Sequence, residues 1–215
     1  MAEIFPEWTN KAPAYLLIAL TVLALATVGG VWYFFSPQFT DVGYEPIQPV
    51  PFSHKLHVGR LQIDCRYCHA QVEVSAVATV PPTQTCLNCH RVVARESALL
   101  EPIRVSFEKS RPMRWVRVHQ LPQYAYFSHV AHISAGVGCS TCHGNVAEMD
   151  LIRQVAPLSM GWCLDCHRNP DPFLRPPSQV TDPYWAAPPD QLQVAAKLKE
   201  THAVEPPTDC TGCHR

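Results

Sequence analysis

The stretch FSHVAHISAGVGCSTCH, residues 127–143, contains the two short motifs that decide how this chain folds. The first is Phe-Ser-His-x-x-His, which occurs once more as FSHKLH at residues 52–57. The second is Cys-x-x-Cys-His, which occurs five times and takes up all ten cysteines of the chain. No cysteine is therefore left over for a structural disulfide or a free nucleophile.

The Cys-x-x-Cys-His spacing predicts covalent haem attachment. Two cysteines separated by two residues add across both vinyl groups of one haem, and the next histidine binds the iron from the same side. The sequence therefore predicts five c-type haems. We number the motifs 1 to 5 in chain order: 65–69, 86–90, 139–143, 163–167 and 210–214. The predicted attachment residues are Cys65, Cys68, Cys86, Cys89, Cys139, Cys142, Cys163, Cys166, Cys210 and Cys213. The predicted proximal iron ligands are His69, His90, His143, His167 and His214.

A structural zinc site is the alternative interpretation, because paired Cys-x-x-Cys elements also build tetrahedral zinc centres. Zinc does not require a histidine directly after the second cysteine, yet all five motifs have one. Five pairs would also leave one pair unmatched if zinc took them two at a time. The pattern favours haem.

Low-spin haem iron takes a second axial ligand, and six histidines lie outside the motifs. Histidines three apart on a helix share a face, so each His-x-x-His element can offer imidazoles to two neighbouring haems. The predicted distal ligands are His54, His57, His119, His129 and His132, with His202 in reserve. Two alternatives stay open: a His/Met pair at one haem through Met149 or Met160, and a polar surface helix for the His-x-x-His element.

The order of these motifs reveals an internal duplication. Residues 52–90 and 127–167 each run from a His-x-x-His element through one haem motif to a second one. With motif 5 they form the predicted haem domain, 52–215. The proline-rich stretch 169–189 is predicted to be an extended surface strap, and residues 190–202 a short helix capped by Asp190.

The N-terminal region predicts a membrane anchor. Residues 12–35 carry no charge, and their 24 residues exceed the roughly 20 that a helix needs to cross a bilayer. A cleaved signal peptide fits less well, because residues 1–11 hold two acids to one base and no small-x-small cleavage site follows. A buried core helix is the other alternative. Residues 36–51, with four prolines, are predicted to be an extended tether.

Composition completes the predicted fold class. The chain has 21 Pro and only 9 Gly among 215 residues, which disfavours regular secondary structure. With 17 basic and 18 acidic residues it has no charge excess that would attract nucleic acid. We expect a single N-terminal transmembrane α-helix followed by a haem-dominated multihaem cytochrome c domain with short helices, long loops and little or no β-sheet.

Four blocks resemble a known family over nearly the whole chain: residues 64–90, 117–144, 157–168 and the terminal CTGCHR. They resemble the pentahaem subunit of bacterial alternative complex III, a quinol:electron-acceptor oxidoreductase. The two repeats also resemble, more distantly, the small class III multihaem cytochromes. The attachment cysteines and proximal histidines match the family residue by residue, whereas His202 lies in the least motif-like part.

The resemblance implies partners and a location. In the family, a multi-spanning membrane subunit oxidises quinol, and electrons pass through an iron–sulfur subunit and other cytochrome c subunits to a soluble acceptor, an oxidase or a reaction centre. This chain would be the haem relay, with no independent catalytic site. Because haem is attached outside the bacterial cytoplasmic (inner) membrane, we expect one span, a cytoplasmic N-terminus (residues 1–11) and a periplasmic haem domain.

Other functions remain as alternatives. A stand-alone, single-anchor multihaem quinol dehydrogenase that feeds periplasmic reductases shares the anchor and the haems. A catalytic multihaem enzyme such as a nitrite reductase needs an open iron site, often marked by a Cys-x-x-Cys-Lys variant, and all five motifs end in His. A reaction-centre cytochrome would depend on methionine ligands, and the chain has four Met.

Overall fold

The structure, a computed structural model, describes residues 5–214. The outermost ends of the predicted cytoplasmic segment and haem domain, residues 1–4 and 215, lie outside that range. The described part is helical, and its only strand-like pairing is one isolated bridge between Val137 and Leu174. This confirms the predicted fold class of one apolar N-terminal helix followed by short helices and long loops. The chain divides into two compact units after Asp41, within the predicted tether.

The first unit is built around helix α1, Ala12–Phe34, which follows a 3₁₀ turn at Glu7–Asn10. Its side chains are apolar on every face and none is buried, as expected for a helix whose surroundings are themselves apolar. With a mean hydropathy of 2.2 in its most apolar window, α1 is long and apolar enough to cross a bilayer. The tether is not wholly extended, because Pro37–Thr40 forms one helical turn, α2.

In the second unit, every haem motif lies on a short helix. Motifs 1 and 3 are single turns, α3 (Cys65–Cys68) and α7 (Cys139–His143). Motifs 2 and 4 end longer helices, α4 (Thr83–His90) and α8 (Met160–Arg168). Motif 5 is a 3₁₀ turn at Cys210–Gly212. A single turn is enough to bring both cysteines and the histidine of one motif to one side, which is what one haem requires.

The remaining helices position these motifs. The first His-x-x-His element continues into a π-helix, Lys55–Arg60, and the second opens helix α6, His129–Ser134. Helix α5 is Glu101–Glu108, and α9 is Gln191–His202, which confirms the predicted C-terminal helix. Asp190 precedes α9 as predicted, but its side chain makes no capping hydrogen bond. Four further 3₁₀ turns are at Ala98–Leu100, Val146–Glu148, Asp171–Phe173 and Pro177–Gln179.

The protein core of the second unit is small. One cluster joins Val50, Leu87 and Ile103, where α4 packs against α5. The two large side chains buried most completely, Leu174 and Val180, belong to the proline-rich strap. The prediction of a surface strap was therefore wrong in part: residues 169–189 contain two 3₁₀ turns and send apolar side chains inward. Leucine and valine at these positions gain about 1.5–3 kcal/mol each from complete burial, so the strap helps to hold the domain together.

Candidate haem-binding sites

The two Phe-Ser-His-x-x-His elements have nearly the same side-chain geometry. In the first, the Phe52 ring stacks on His57, with ring centres 4.4 Å apart, and lies edge-on to His54 at 4.9 Å. In the second, Phe127 stacks on His132 at 4.4 Å and lies edge-on to His129 at 4.8 Å. The spacing that the two copies of the motif share thus has a structural reason, because one phenyl ring orients both imidazoles.

The serine of the motif acts through its backbone. The Nδ1 of His57 donates to the Ser53 carbonyl at 2.9 Å, and that of His132 donates to the Ser128 carbonyl at 2.8 Å. A carbonyl can only accept, so Nδ1 carries the proton and Nε2 keeps a free lone pair. This is the arrangement that holds an imidazole ready to bind a metal.

Five more of the predicted iron ligands share this arrangement. Among the predicted proximal histidines, Nδ1 of His69 donates to the Thr79 carbonyl, and three others donate to carbonyls of their own. The remaining Nδ1–carbonyl pairs are His90–Val93 (3.0 Å), His167–Pro207 (2.7 Å), His214–Tyr124 (2.9 Å) and His129–Ala76 (3.0 Å). At His129 the Ala78 N–H also points at Nδ1, at a longer 3.3 Å, so the carbonyl is the nearer partner. The His69–Thr79 distance is 2.9 Å. The residues present therefore fit iron ligation through Nε2.

Three pairs of rings are spaced as axial ligands of one iron should be. Two imidazoles on opposite sides of a metal, with metal–nitrogen bonds of about 2 Å, have ring centres roughly 6 Å apart. The measured separations between a distal and a proximal ring are 6.2 Å for His57–His90, 6.0 Å for His132–His167 and 6.4 Å for His129–His143. In each pair the spacing matches one shared iron.

His54 completes the pattern by its position next to motif 1. Burial lowers the pKa of His54 to about 4, and His69 adds more to this shift than His57 does. Burial also lowers the pKa of His143 to about 3. Both rings are therefore neutral at ordinary pH, which is the form that binds iron. The first histidine of each element thus lies near the first motif of its own repeat, and the second histidine near the second motif.

The other two predicted distal ligands are placed differently. The His119 ring is edge-on to His143 at 4.3 Å, closer than two ligands of one iron can be, and its Nε2 is buried without a hydrogen-bond partner. From His119 the chain leads to Tyr124, whose carbonyl accepts the Nδ1 proton of His214 in motif 5. His202 is exposed at the end of α9.

The cysteines reveal the spatial order of the motifs. In each of four pairs, a thiol of one motif lies near enough to affect the pKa of a thiol of the neighbouring motif. The pairs are Cys86–Cys68, Cys65–Cys139, Cys142–Cys166 and Cys163–Cys213. The motifs therefore follow one another in the order 2, 1, 3, 4, 5, with the equivalent motifs of the two repeats, 1 and 3, meeting at the centre.

Each repeat also donates a backbone hydrogen bond to the other. The backbone N–H of Lys55, in the first His-x-x-His element, donates to the Met149 carbonyl after motif 3. The backbone N–H of His129, in the second element, donates to the Ala76 carbonyl after motif 1. Gly59 packs so closely on the Ala147 carbonyl that an added Cβ would clash with it. Each repeat thus supports the histidines of the other.

The strap crosses the centre of this arrangement, which we call the repeat junction (Cys65, Cys139 and the strap residues 175–182). The Val180 carbonyl accepts from the Cys139 N–H at 2.9 Å, and the Thr181 carbonyl lies 3.7 Å from the Cys65 sulfur. The Thr181 hydroxyl donates to Asp64, the N-cap residue of motif 1, at 2.9 Å. The strap therefore joins the first motif of one repeat to the first motif of the other.

Replacement of Asp64 by alanine is expected to lower the free energy of unfolding by about 1 kcal/mol, the usual effect of losing an N-cap. Asp64 Oδ1 accepts from the Arg66 N–H at 2.8 Å, and the Arg66 side chain holds the pKa of Asp64 at about 2. A depressed carboxyl pKa stabilises above the unfolded value near 3.8, and the contribution is lost as pH falls towards 2. Denaturant unfolding of the haem-loaded protein measures the change.

Asp64→Asn is the matched control, because asparagine keeps the capping oxygen without the charge. We expect it to keep the capping contribution and to abolish the loss of stability between about pH 3.8 and pH 2. An alanine variant as stable as the original protein would contradict the capping role.

A cleft of about 390 Å³ lies between motifs 3 and 4, lined mainly by Trp162, Cys166, Pro172 and Phe173. Its aromatic lining beside an attachment cysteine suits one edge of a porphyrin. By contrast, no group of three or more His, Cys, Asp or Glu side chains within residues 5–214 is arranged to hold a metal ion.

Some contributors to the sites were not foreseen from sequence. The stacking role of Phe52 and the carbonyl of Ser53 belong to the repeated phrase itself, and the repetition of Phe-Ser before both His-x-x-His pairs was the available signal. The strap residue Thr181 offered none, because its contact with Asp64 joins positions far apart in the sequence.

Comparisons with known proteins agree with this geometry. Residues 125–215, which contain the second His-x-x-His element and motifs 3 to 5, match the family model described as cytochrome c7 and related cytochrome c. The chain is also 31% identical over 139 residues to a protein of Nitratidesulfovibrio vulgaris named menaquinone reductase, multiheme cytochrome c subunit. That match covers 60% of this chain and 64% of the relative's length.

Three observations agree: the predicted haem motifs, the imidazole pairs, and the match of the C-terminal part to the cytochrome c7 model. By these features the chain is similar to multihaem cytochromes c, among them the cytochrome subunit of a menaquinone reductase.

Proposed function

We propose that this chain relays electrons through five c-type haems between a quinone-reactive membrane complex and an acceptor outside the cytoplasmic membrane. The observation that carries this proposal is the row of five motifs, in which a cysteine of each motif lies near enough to a cysteine of the next to affect its pKa. When bound, haem iron supplies one-electron redox chemistry. Attachment at neighbouring cysteines would keep successive haems close together, which electron transfer between them requires.

The chain's own residues account for a relay without catalysis. Each Cys-x-x-Cys pair fixes one haem, and each motif histidine binds its iron. His54 and His57 are the proposed distal ligands of the haems of motifs 1 and 2, and His129 and His132 those of motifs 3 and 4. Two strong ligands on every iron leave no open position for a substrate. We therefore expect no independent active site on this subunit.

The fifth haem is proposed to take His119 as its distal ligand, which requires the His119 ring to leave its contact with His143 of motif 3. The four histidines of the His-x-x-His elements have partners in motifs 1 to 4, and the chain leads from His119 directly to the contact between Tyr124 and His214. His202, on the exposed end of α9, is the reserve. The alternative of a His/Met pair at one haem, through Met149 or Met160, stays open, and the Met149 side chain is buried against Gly144 beside motif 3.

Helix α1 is proposed to anchor the chain in the cytoplasmic membrane, with residues 1–11 inside and residues 52–215 outside. The uniformly apolar surface of α1 supports an anchor. Haem attachment supports the orientation, because cytochrome c assembly takes place on the outer face. The proposed partners follow the alternative complex III resemblance: a multi-spanning quinol-oxidising subunit, an iron–sulfur subunit, other cytochrome c subunits and a soluble acceptor.

The relationship to a menaquinone reductase subunit favours a second candidate, in which the same relay carries electrons towards menaquinone rather than away from quinol. Both candidates use the row of motifs in the same way and differ in the direction of flow. A stand-alone quinol dehydrogenase is the third possibility, and it differs by needing no partner subunits.

The test is a mild-detergent purification of the tagged chain from its native membranes, followed by identification of the co-purified subunits. We expect a multi-spanning membrane subunit and an iron–sulfur protein. Quinol added to the complex should reduce the haems if the alternative complex III candidate holds, whereas reduced haems should pass electrons to menaquinone if the second one holds. A chain that purifies alone and is reduced directly by quinol would contradict both.

A further inference from the structure

Arg175, in the strap, is a buried cation whose direct partners are neutral. Its side chain is 4% exposed, and its two terminal nitrogens donate to the Asp182 carbonyl and to Ser140 Oγ, each at 3.1 Å. Its Nε is buried without a hydrogen-bond partner. No carboxylate of the described residues lies within ion-pair distance, although the exposed Asp182 interacts with it at longer range. Most of its charge is therefore not cancelled locally.

The guanidinium lies directly against the attachment site of motif 3. It packs on Gly138, where an added Cβ would overlap Cζ of Arg175, and it bonds to Ser140. These two residues flank Cys139. The Trp185 ring covers the guanidinium, with Cζ 4.3 Å from the ring centre. Gly136, at φ +89°, also lets the Arg175 backbone approach, and the Arg175 N–H donates to its carbonyl at 2.8 Å.

This arrangement fixes the charge in place. Arginine keeps its proton even when buried, so the strap carries a permanent positive charge to the repeat junction. Desolvating such a charge with neutral partners costs free energy, and a neutral side chain of similar length would fill the same space without that cost. Packing alone therefore does not explain a cation at this position. Its charge acts electrostatically on the groups around it.

We propose that Arg175 raises the reduction potential of the haem held by Cys139 and Cys142. The inference rests on the proposed function, since it needs a haem at motif 3. Ferric haem carries one more positive charge than ferrous haem, so a fixed cation in a poorly solvated site destabilises the ferric form more. The thioether edge of a haem is opposite its propionates, so that haem's own carboxylates do not neutralise Arg175.

A redox titration of the haem-loaded protein tests this, with each haem followed by visible and electron paramagnetic resonance spectra. In Arg175→Met, one of the five potentials should fall by about 59 mV, the equivalent of a tenfold change in the ratio of reduced to oxidised haem. Arg175→Lys keeps the charge and should move that potential by much less. Arg104→Met is the matched control, because Arg104 is half-buried, pairs with Glu101 at 2.6 Å and lies outside the repeat junction.

Gly138→Ala supplies a second variant, since the added methyl group displaces the guanidinium without removing it. It should lower the same potential. Unchanged potentials in Arg175→Met with five haems present would overturn the proposal, as would an equal fall in Arg175→Lys. Loss of the motif 3 haem from both Arg175→Met and Gly138→Ala would also overturn it, because Arg175 would then be a structural clamp. A haem count below five in the unmodified protein would instead refute the proposed function itself.

Discussion

Replacement of His57 by alanine is expected to leave five haems attached and to convert one of them from low-spin to high-spin. His57 and His90 have ring centres 6.2 Å apart, the spacing of two ligands on one iron, whereas we propose that Cys86 and Cys89 hold the haem itself. Loss of the distal imidazole should therefore change ligation without breaking attachment. About one fifth of the low-spin signal should disappear from the electron paramagnetic resonance spectrum, and the new open site should bind carbon monoxide when reduced.

The internal duplication supplies a matched variant. His132→Ala should give the same spectral change, because His132 has the same Phe and Ser contacts and lies 6.0 Å from His167. The exposed His202 is the control, and His202→Ala should leave all five haems low-spin. A His57→Ala protein with five low-spin haems would show that the ring pair is not an axial pair. A high-spin haem in His202→Ala would show that His202, and not His119, is the fifth distal ligand.

Removal of the central haem is expected to divide the relay into two halves. In a Cys139→Ser/Cys142→Ser variant the haem count should fall from five to four, and the order 2, 1, 3, 4, 5 leaves two haems on each side of the gap. When the native complex is then reduced through its membrane partner, two of the four haems should become reduced rapidly and the other two should not. Stopped-flow absorbance at the haem bands measures this split.

The matched control removes a haem from one end of the row. In Cys86→Ser/Cys89→Ser the count also falls to four, but the remaining haems stay contiguous. They should be reduced as one group or, if motif 2 is the entry point, not at all. An equal division into two and two in this variant, or rapid reduction of all four haems in the central variant, would contradict the linear order.

The local parts of this fold could be predicted because they depend on neighbouring residues. The Cys-x-x-Cys-His spacing fixes single helical turns, as α3 and α7 show. The apolar run predicted at 12–35 corresponds to α1, Ala12–Phe34, because hydropathy and length alone define such a helix. The helix expected at 190–202 begins one residue later, at Gln191.

The parts that were missed depend on contacts between distant positions. Proline suggested an exposed strap, yet Leu174 is completely buried, because α9 packs over this segment and buried Gln191 donates to the Leu174 carbonyl at 2.7 Å. The buried cation at Arg175 and the link between Thr181 and Asp64 likewise arise only when the two repeats meet. No pattern in the sequence predicts which surfaces of the two repeats come into contact.

The distal ligands were predicted as residue types, whereas their pairing with particular haems was not. The repeated phrase identified His54, His57, His129 and His132, but which motif each one faces depends on how the turns pack. For His119, the prediction from sequence and the position of the ring disagree. Its place before the second repeat suggested a ligand, and its ring lies 4.3 Å from His143 rather than at the distance of an axial pair.

The most direct test of the central claim is the intact mass of the mature protein, purified from a host that attaches c-type haems. We predict a mass equal to that of the polypeptide plus five haems, with no cysteine open to a thiol-reactive probe after denaturation. A lower number of haems, with reactive cysteines at the remaining motifs, or a zinc-containing protein without haem, would contradict the five-haem relay.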